Sequence, residues 1–552
     1  MTSRFVRAAA AGAALAVSAG AFAACSSEPE TTPDDVITIF APQDAGNGQD
    51  LEDNAFTTVI EEKFDVDLQF ETTTWDGTAA AEKRQISLAS GDYPDAYMLI
   101  PWVDQFSADE LVKLGGQGVI VPLDDLIGED TPNLTAAFEK EPGFEELATS
   151  PDGNIWGIPA WNDCYHCSYP SKLWMNSAWL DTLGLEQPTT PDELRTVLEA
   201  FKTQDPNGNG EADEIPLSAA GGASLLSYLM NPYVYTPEMY ANAEAATPSA
   251  LGAVDGEVVL QPTRDEWRDA IAYVTSLYED GLIDEGAFTQ NGEALMAKGN
   301  SAEGVILGSV AVMHPWFVDS NQEDGRYTQY DAVAPLTGPA GDDTFWSAGG
   351  AGAAPGATFV ITNRSSEAKQ QKLMQIVDFM VSYDGHLQAE FGIEGENWVR
   401  PEEGDVALDE TLAPNFEVVP APSGEGLKNS WGPMAQFFSD AEFRNGQVTA
   451  TDIYTPEGYE RRLFEATKLY EGHESDELFP YWEVGVTGET ATELATVQTN
   501  IENFVVQASA EFVTGVRDIS SDEDWAEFQQ NLTDLGADRY VEIYQQAWDE
   551  SE

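Results

Sequence analysis

Strands alternating with helical segments place this chain in the α/β class, with a mainly parallel sheet. Val36-Ile-Thr-Ile-Phe40 is apolar and β-branched enough for a strand. Phe56 to Phe64 has the spacing of an amphipathic helix, and Val66-Asp-Leu-Gln-Phe70 alternates as a half-buried strand does. Ala79 to Ala89 then reads as helix and Asp95 to Ile100 as another strand. A length of 552 residues is too great for one core and predicts two or more domains.

Charge narrows the partners. The chain carries 97 acidic residues against 25 basic ones, net −72, which argues against nucleic acid and anionic lipid surfaces. Arg4 and Arg7 followed by the alanine-rich run Ala8 to Ala24 read as a signal peptide over residues 1–24. Phe22-Ala-Ala-Cys25 resembles a bacterial lipobox, in which Cys25 becomes lipid-modified; Phe22 stands where Leu is usual. Residues 25–35 are polar and proline-bearing, as a tether between lipid and domain should be. The expectation is an exported protein, lipid-anchored at the outer face of the cell membrane and otherwise in solution.

Asp205-Pro-Asn-Gly-Asn-Gly-Glu-Ala-Asp-Glu214 is the most legible stretch. Calcium wants six to eight oxygens on a sharply bending loop. Asp205, Asn207 and Asn209 stand at alternate positions, Gly210 provides the bend, Glu211 offers a backbone carbonyl, and Asp213 and Glu214 close the set. Pro216 occupies the place where an EF-hand has its final Glu, so the loop is a shortened EF-hand-like site for structural calcium. The alternative is an ion-free turn rich in Asn, Asp and Gly. Before it, Thr190-Pro-Asp-Glu193 forms a capping box, and Leu194, Val197, Leu198 and Phe201 share one helix face. The ion would staple the end of that helix to the chain beyond Ile215.

With Cys25 set aside, two cysteines remain, Cys164 and Cys167, flanking Tyr165 and His166. Zinc would need two more clustered ligands, and His166, His314, His386 and His473 are scattered. Inert thiols or a disulfide are the readings kept.

Several blocks resemble the extracellular solute-binding proteins of carbohydrate ABC importers. They are Gly157-Ile-Pro159, Trp174-Met-Asn-Ser-Ala-Trp-Leu-Asp-Thr-Leu-Gly-Leu185, Pro188 to Leu194, and Asp213-Glu-Ile-Pro216. Gly281-Leu-Ile-Asp284, Val312-Met-His-Pro-Trp316, Pro335 to Pro339, Gly392 to Trp398 and the tail from about Ile501 to Trp548 continue the likeness. It is strongest to the large calcium-containing lipoproteins related to alginate-oligosaccharide binders. The resemblance implies a type II periplasmic-binding-protein fold: two α/β lobes joined by crossing strands, with the ligand cleft between them. Residues 36–158 and 331–385 would form lobe 1, and 159–330 with 386–552 lobe 2, which carries the calcium loop 205–214. Helices are expected from Trp267 to Tyr278, stopped by Gly281, and from about Glu367 to Met380.

Sugar rings stack on flat aromatic faces while their hydroxyls seek carboxylates and amides. Trp161, Asn162 and Asp163 lie just past the first inferred crossing, Trp316 follows a returning strand, and Trp398 and Arg400 follow the third crossing. Trp431, Trp346 (before a small-residue stretch) and Trp102 (at a strand's C-terminal end) complete the ligand-binding candidates. A lone Trp more often packs in a core, where Trp174, Trp179, Trp267 and Trp525 are assigned. Arg400 would either clasp a ligand carboxylate or answer the acids around it.

The resemblance implies a monomeric protein that closes its lobes over an oligosaccharide and delivers it to ABC permease subunits. No Gly-x-Ser-x-Gly elbow, His-Glu-x-x-His or phosphate loop is present, so no catalytic residue is assigned. The alternatives are a secreted glycoside hydrolase, whose chemistry needs two flanking carboxylates, and a peptide-binding importer component.

Overall fold

The strand Val36–Pro42 runs parallel to both Asp67–Thr73 and Ala96–Met98, and Phe359–Ile361 closes the sheet antiparallel to Ala96–Met98. The structure, a computed structural model, describes residues 33–239, 250–318, 325–339, 356–422, 424–481, 484–486 and 488–551. The expected signal peptide, Cys25 with most of the expected tether, and Trp346 lie outside the described residues.

Alternation along the first strand feeds two cores. Ile37, Ile39 and Ala41 point into one with Ile60, Met98, Phe359, Leu373, Ile376, Val377 and Met380. Phe40 and Tyr97 point into the other with Phe106, Leu111 and Val360. Helices cover the sheet as expected. Asn54 caps Ala55–Phe64, Asp76 caps Gly77–Ser90, and Ser366 caps Glu367–Val381. Asp378 on the last of these accepts the Asn133 and Leu134 amides at 2.7 and 2.9 Å, capping Pro132–Lys140 from another element. Two buried ion pairs, Lys369 with Asp95 at 3.0 Å and Arg84 with Asp104 at 2.7 Å, cross-link helix to sheet. Removing one partner of such a pair would leave a buried unpaired charge, a cost of about 3–5 kcal/mol.

The second lobe departs from the expected parallel sheet. Leu173–Asn176 is antiparallel to Tyr330–Val333 on one side and to Ser309–Ala311 on the other. Parallel bridges from Ile215 to Leu307, Ser218 to Val310 and Leu217 to Ile283 extend it. Its large core gathers Leu194, Val197, Leu198 and Phe201 of Pro191–Thr203 with Trp267, Ile271 and Val274 of Asp265–Glu279. Ile501, Val505, Phe512, Phe528, Leu532 and Tyr540 of the C-terminal helices Gly488–Val513, Asp522–Asp534 and Ala537–Ser551 join the same core. Gly281 ends Asp265–Glu279 with φ +64°.

The inferred boundaries shift at two places. Residues 331–333 pair into the second sheet, so they stay with lobe 2. Residues 386–438, expected in lobe 2, divide: Ala389, Trp431, Met434, Ala435 and Phe437 are buried in the first core among Phe56, Ile60 and Met374, while Leu387, Trp398 and Phe416 form a small separate cluster with Phe443. The reason is long-range. Ser382 caps a second helix, Tyr383–Glu390, directly after Glu367–Val381, so the chain turns back along lobe 1 instead of crossing.

Candidate functional site

The chain passes from the first core toward the second along Gly157–Asp163. A Cβ on Gly157 would stand 2.5 Å from the Phe359 carbonyl oxygen, so glycine is required where this segment lies against the sheet. Trp161–Asn162 then pairs in parallel with Phe438–Ser439, the segment by which the chain leaves the first core. Two crossing segments therefore lie side by side.

Polar side chains knit this junction. Asn162 Nδ2 donates to Gln436 Oε1 at 3.0 Å, and Gln436 Nε2 donates to Glu390 Oε1 at 2.6 Å. His386 Nε2 lies 2.7 Å from Glu390 Oε2 and 2.9 Å from Ser439 Oγ. Arg444 stands 3.6 Å from Glu390. Burial opposes the charge on Glu390, but the His386 contact, Arg444 and Gln436 hold its carboxyl below the ordinary value. Asp163 accepts the Trp161 indole N–H at 3.2 Å and the Ala441 amide at 2.9 Å, while burial raises its carboxyl.

The second lobe supplies the turn Tyr165–Ser168 and the helix Tyr459–Lys468. A Cys164–Cys167 disulfide closes the turn. Among the described residues, Cys164, His166 and Cys167 bring their ligand-type atoms within 4.8 Å of one another, but the two sulfurs are spent on each other and offer no thiolates. Lys172 Nζ donates to the His166 carbonyl at 2.8 Å, and burial brings its amine down to about 7. His166 Nδ1 lies 3.5 Å from Glu460 Oε2. His314 Nδ1 lies 2.6 Å from the Tyr459 hydroxyl.

Glu460 is informative because two measures of its surroundings pull apart. Its side chain keeps 30% of its surface accessible, yet burial raises its carboxyl, with Glu390 adding to the rise and Arg444 opposing it. A group wetted from one side and enclosed by protein on the rest lies in a recess. The imidazoles behave alike: burial pulls His166 well below its ordinary value and His314 down to about 4. Both are neutral at neutral pH.

The expected ligand residues divide. Trp161, Asn162 and Asp163 sit at the junction, with the Trp161 ring over Gly143 and 6.0 Å from that of Phe144. Trp316 is half-buried on the second lobe, its ring over Gly292. Trp102 is 59% exposed just beyond the end of Ala96–Met98. Two assignments fail. Trp431 is fully buried, edge-on to Phe56 at 5.0 Å and Phe70 at 5.7 Å, its N–H donated to Thr57. Trp398 is buried among Leu387, Phe416 and Phe443, its N–H on the Gly392 carbonyl. Neither reaches solvent: Trp431 because its segment folds onto the first core, and Trp398 because it packs in a small separate core. Arg400 is exposed and pairs with Asp384 at 2.8 Å and Glu394 at 3.0 Å, the second of its two readings.

Glu390, Gln436, Arg444 and Glu460 escaped the sequence reading. Their order in the chain carries no spacing signal. His166, between two cysteines, was visible only as a doubtful metal ligand.

The 205–214 loop fits a hard cation. The Asp205 carboxylate accepts the Gly210 amide at 3.2 Å, Asn207 Oδ1 accepts the Asn209 amide, and Asn209 Oδ1 accepts the Glu211 amide. Asn207 and Asn209 both donate to Asp213, at about 3.0 Å. Glu214 Oε1 is buried with no hydrogen-bond partner, and its carboxyl is raised by burial, then by Asp213 and Asp205. An orphaned Glu214 oxygen repelled by Asp213 and Asp205, on a loop rich in side-chain oxygens, fits the donors a calcium ion takes. Ile215, just after, donates its amide to the Ile306 carbonyl, so the loop ties Pro191–Thr203 to the second sheet.

Comparison with known proteins adds a family and a fold. The sequence pattern of the bacterial extracellular solute-binding proteins matches residues 47–386. The fructooligosaccharide ABC transporter substrate-binding protein FusA of Streptococcus pneumoniae is 28% identical over 482 residues, 85% of this chain and 82% of its own. A FusA EF-hand mutant in complex with fructo-nystose matches at TM-score 0.69 and 22% identity, covering 93% of this chain and 99% of that one. An extracellular solute-binding protein of Bifidobacterium longum subsp. infantis matches at TM-score 0.74 and 22% identity, over 94% and 98%. Alginate-binding protein AlgQ2, solved without calcium ion, matches at TM-score 0.66 and 20% identity, over 94% and 99%. The two-lobed periplasmic-binding fold is shared by all three.

Proposed function

Since the chain belongs to the bacterial extracellular solute-binding protein family, we propose that it captures an oligosaccharide in the recess where its crossing segments meet. Lobe closure over the ligand holds the sugar, because a ligand touching both lobes binds the closed form better. The closed protein then delivers it to ABC permease subunits as a monomer tethered through Cys25. The observation that carries this reading is Glu460: partly wet, otherwise enclosed, and set 3.5 Å from the neutral His166 imidazole. The FusA and AlgQ2 relatives, named for fructooligosaccharide and alginate, support a carbohydrate ligand. Trp161, Trp316 and Trp102 are the stacking surfaces proposed, with Asn162 and Asp163 as polar partners; Trp346 is kept as a further candidate.

Calcium is proposed as a structural ion held by Asp205, Asn207, Asn209, Asp213 and Glu214 and the Glu211 carbonyl. An EF-hand mutant of FusA and an AlgQ2 structure solved without calcium ion support this. The ion would supply charge compensation and fasten a helix end; no chemistry on the ligand passes through it.

The test is calorimetry of the calcium-loaded protein against a panel of oligosaccharides, with chromatography of each mixture afterwards. Binding of a glycan recovered intact supports the reading. Shortened glycans would make it a hydrolase, and heat only with peptides would make it a peptide carrier.

A further inference from the structure

We propose that the captured oligosaccharide is uncharged and that Glu460, oriented by His166, accepts hydrogen bonds from its hydroxyls. This rests on the reading above and sharpens it, since the relatives include carriers named for a neutral fructan and for the uronate polymer alginate. A ligand carboxylate needs an available guanidinium or ammonium. The described cations around the recess are each paired with acids or buried. Arg444 answers Glu390, and Lys140 is bound to Asp440 and Glu442. Lys172 donates to backbone carbonyls inside the second lobe and has no exposed surface. Arg462 is buried: its Nη2 donates to the Tyr327 and Tyr330 carbonyls, its Nε and Nη1 are shut away from solvent without a hydrogen-bond partner, and the rings of Tyr327, Tyr454 and Trp174 lie 4.5 to 5.4 Å away.

Nothing in the remaining sequence supplies the missing charge. Residues 240–249, 319–324 and 340–355 contain no lysine or arginine at all. His166 and His314 are neutral, as argued above. An incoming carboxylate would therefore meet Glu460 and Glu390 with no accessible, unpaired cation among the described residues to receive it, inside a chain of net charge −72. A hydroxyl meets the opposite situation. Glu460 has one described polar contact, the 3.5 Å approach of His166, and it keeps accessible surface on the recess side. A carboxylate accepting O–H donors is a stronger partner than a neutral amide.

The test compares the calcium-saturated full chain with neutral trisaccharides (kestose, maltotriose, xylotriose) and with trigalacturonate and trimannuronate by calorimetry. At least one neutral sugar is expected to bind a hundredfold or more tighter than either uronate, with little dependence on added salt. Glu460→Gln should weaken that sugar about tenfold at an unchanged melting temperature, and His166→Gln should weaken it less. Uronates binding as tightly as the neutral sugars would overturn the inference while leaving oligosaccharide capture standing. So would an affinity that collapses with salt, the mark of a cationic ligand, or a Glu460→Gln protein that binds like the parent. Absence of heat with every glycan would remove the carrier reading itself, and this inference with it.

Discussion

Two groups of carboxylates lie on or beside the second lobe and are built in opposite ways. In the 205–214 loop, Asp213 and Asp205 both raise the Glu214 carboxyl, Asn207 donates to Asp213, and Glu214 Oε1 is buried without a partner. At the junction, Glu390 is saturated by His386, Gln436 and Arg444, while Glu460 stays wet. An acid repelled by neighbouring acids would be relieved by a cation. An acid beside the neutral His166 ring that still meets water is suited to hydroxyl donors. On the proposed reading, similar residues would serve a metal in one place and a sugar in the other because their partners differ.

The largest effect separating the two should come from chelation. Stripping calcium is expected to lower unfolding stability by about 2.7 kcal/mol when the ion had been present at a hundred times its Kd. Glycan affinity per folded molecule should change little. Equal melting midpoints with and without chelator would show that the loop holds no ion.

Glu390→Gln comes next. The variant keeps the shape but leaves Arg444 without its counter-charge and weakens the His386 and Gln436 contacts, at a cost of about 2 kcal/mol. The folded carboxyl lies below its ordinary value, so this stability is present above 4.5, the unfolded value, and fades as pH falls through the folded one. The acid limb of the stability curve should flatten in Glu390→Gln, and chelation should not alter that.

Glu214→Gln should give the opposite signature, an effect that changes sign. Without calcium it relieves repulsion at a buried carboxyl and raises stability by about 1 kcal/mol. With calcium it removes a charged ligand and lowers stability by a similar amount. The same sign under both conditions would mean that Glu214 does not face the ion. Urea unfolding at each condition measures it.

How much of this was legible depends on the range of the interactions. The calcium loop and the helix before it are local: alternating oxygens, a glycine at the bend and Thr190 accepting the Glu193 amide can be read in a row. One detail slipped by a residue, since Glu193 returns its carboxylate to the Thr189 amide instead of that of Thr190. Trp161-Asn162-Asp163 could be placed at the junction because the inferred chain crossing falls just before it. Trp431 was misplaced because nothing local tells that the chain after Val381 doubles back onto Phe56 and Phe70, and Trp398 because its burial depends on Phe416 and Phe443, distant in the chain. Glu460 lies 3.5 Å from His166 across nearly three hundred residues of chain, and only folding makes that pair visible.

The smallest effect tests whether the junction is enclosed at all. Burial, with Lys172 adding to it, brings the folded His314 to about 4 from an ordinary 6.5. Above 6.5 neither state carries the proton, so the ring contributes nothing to the pH dependence. Between 6.5 and about 4 the unfolded chain takes up a proton that the folded ring refuses, and stability falls with pH across that window. Below it the loss levels off. His314→Gln keeps a hydrogen-bonding group beside the Tyr459 hydroxyl but cannot titrate, so the drop between pH 6.5 and 4 should shrink by about 1 kcal/mol. His166, depressed in the same direction, should add a similar increment when both are changed. Unfolding free energies by urea at several pH values measure it, with calcium held saturating so that the loop contributes equally. An unchanged slope in the double variant would mean that water surrounds both rings, and the wet but enclosed setting that distinguishes Glu460 from the loop carboxylates would be lost.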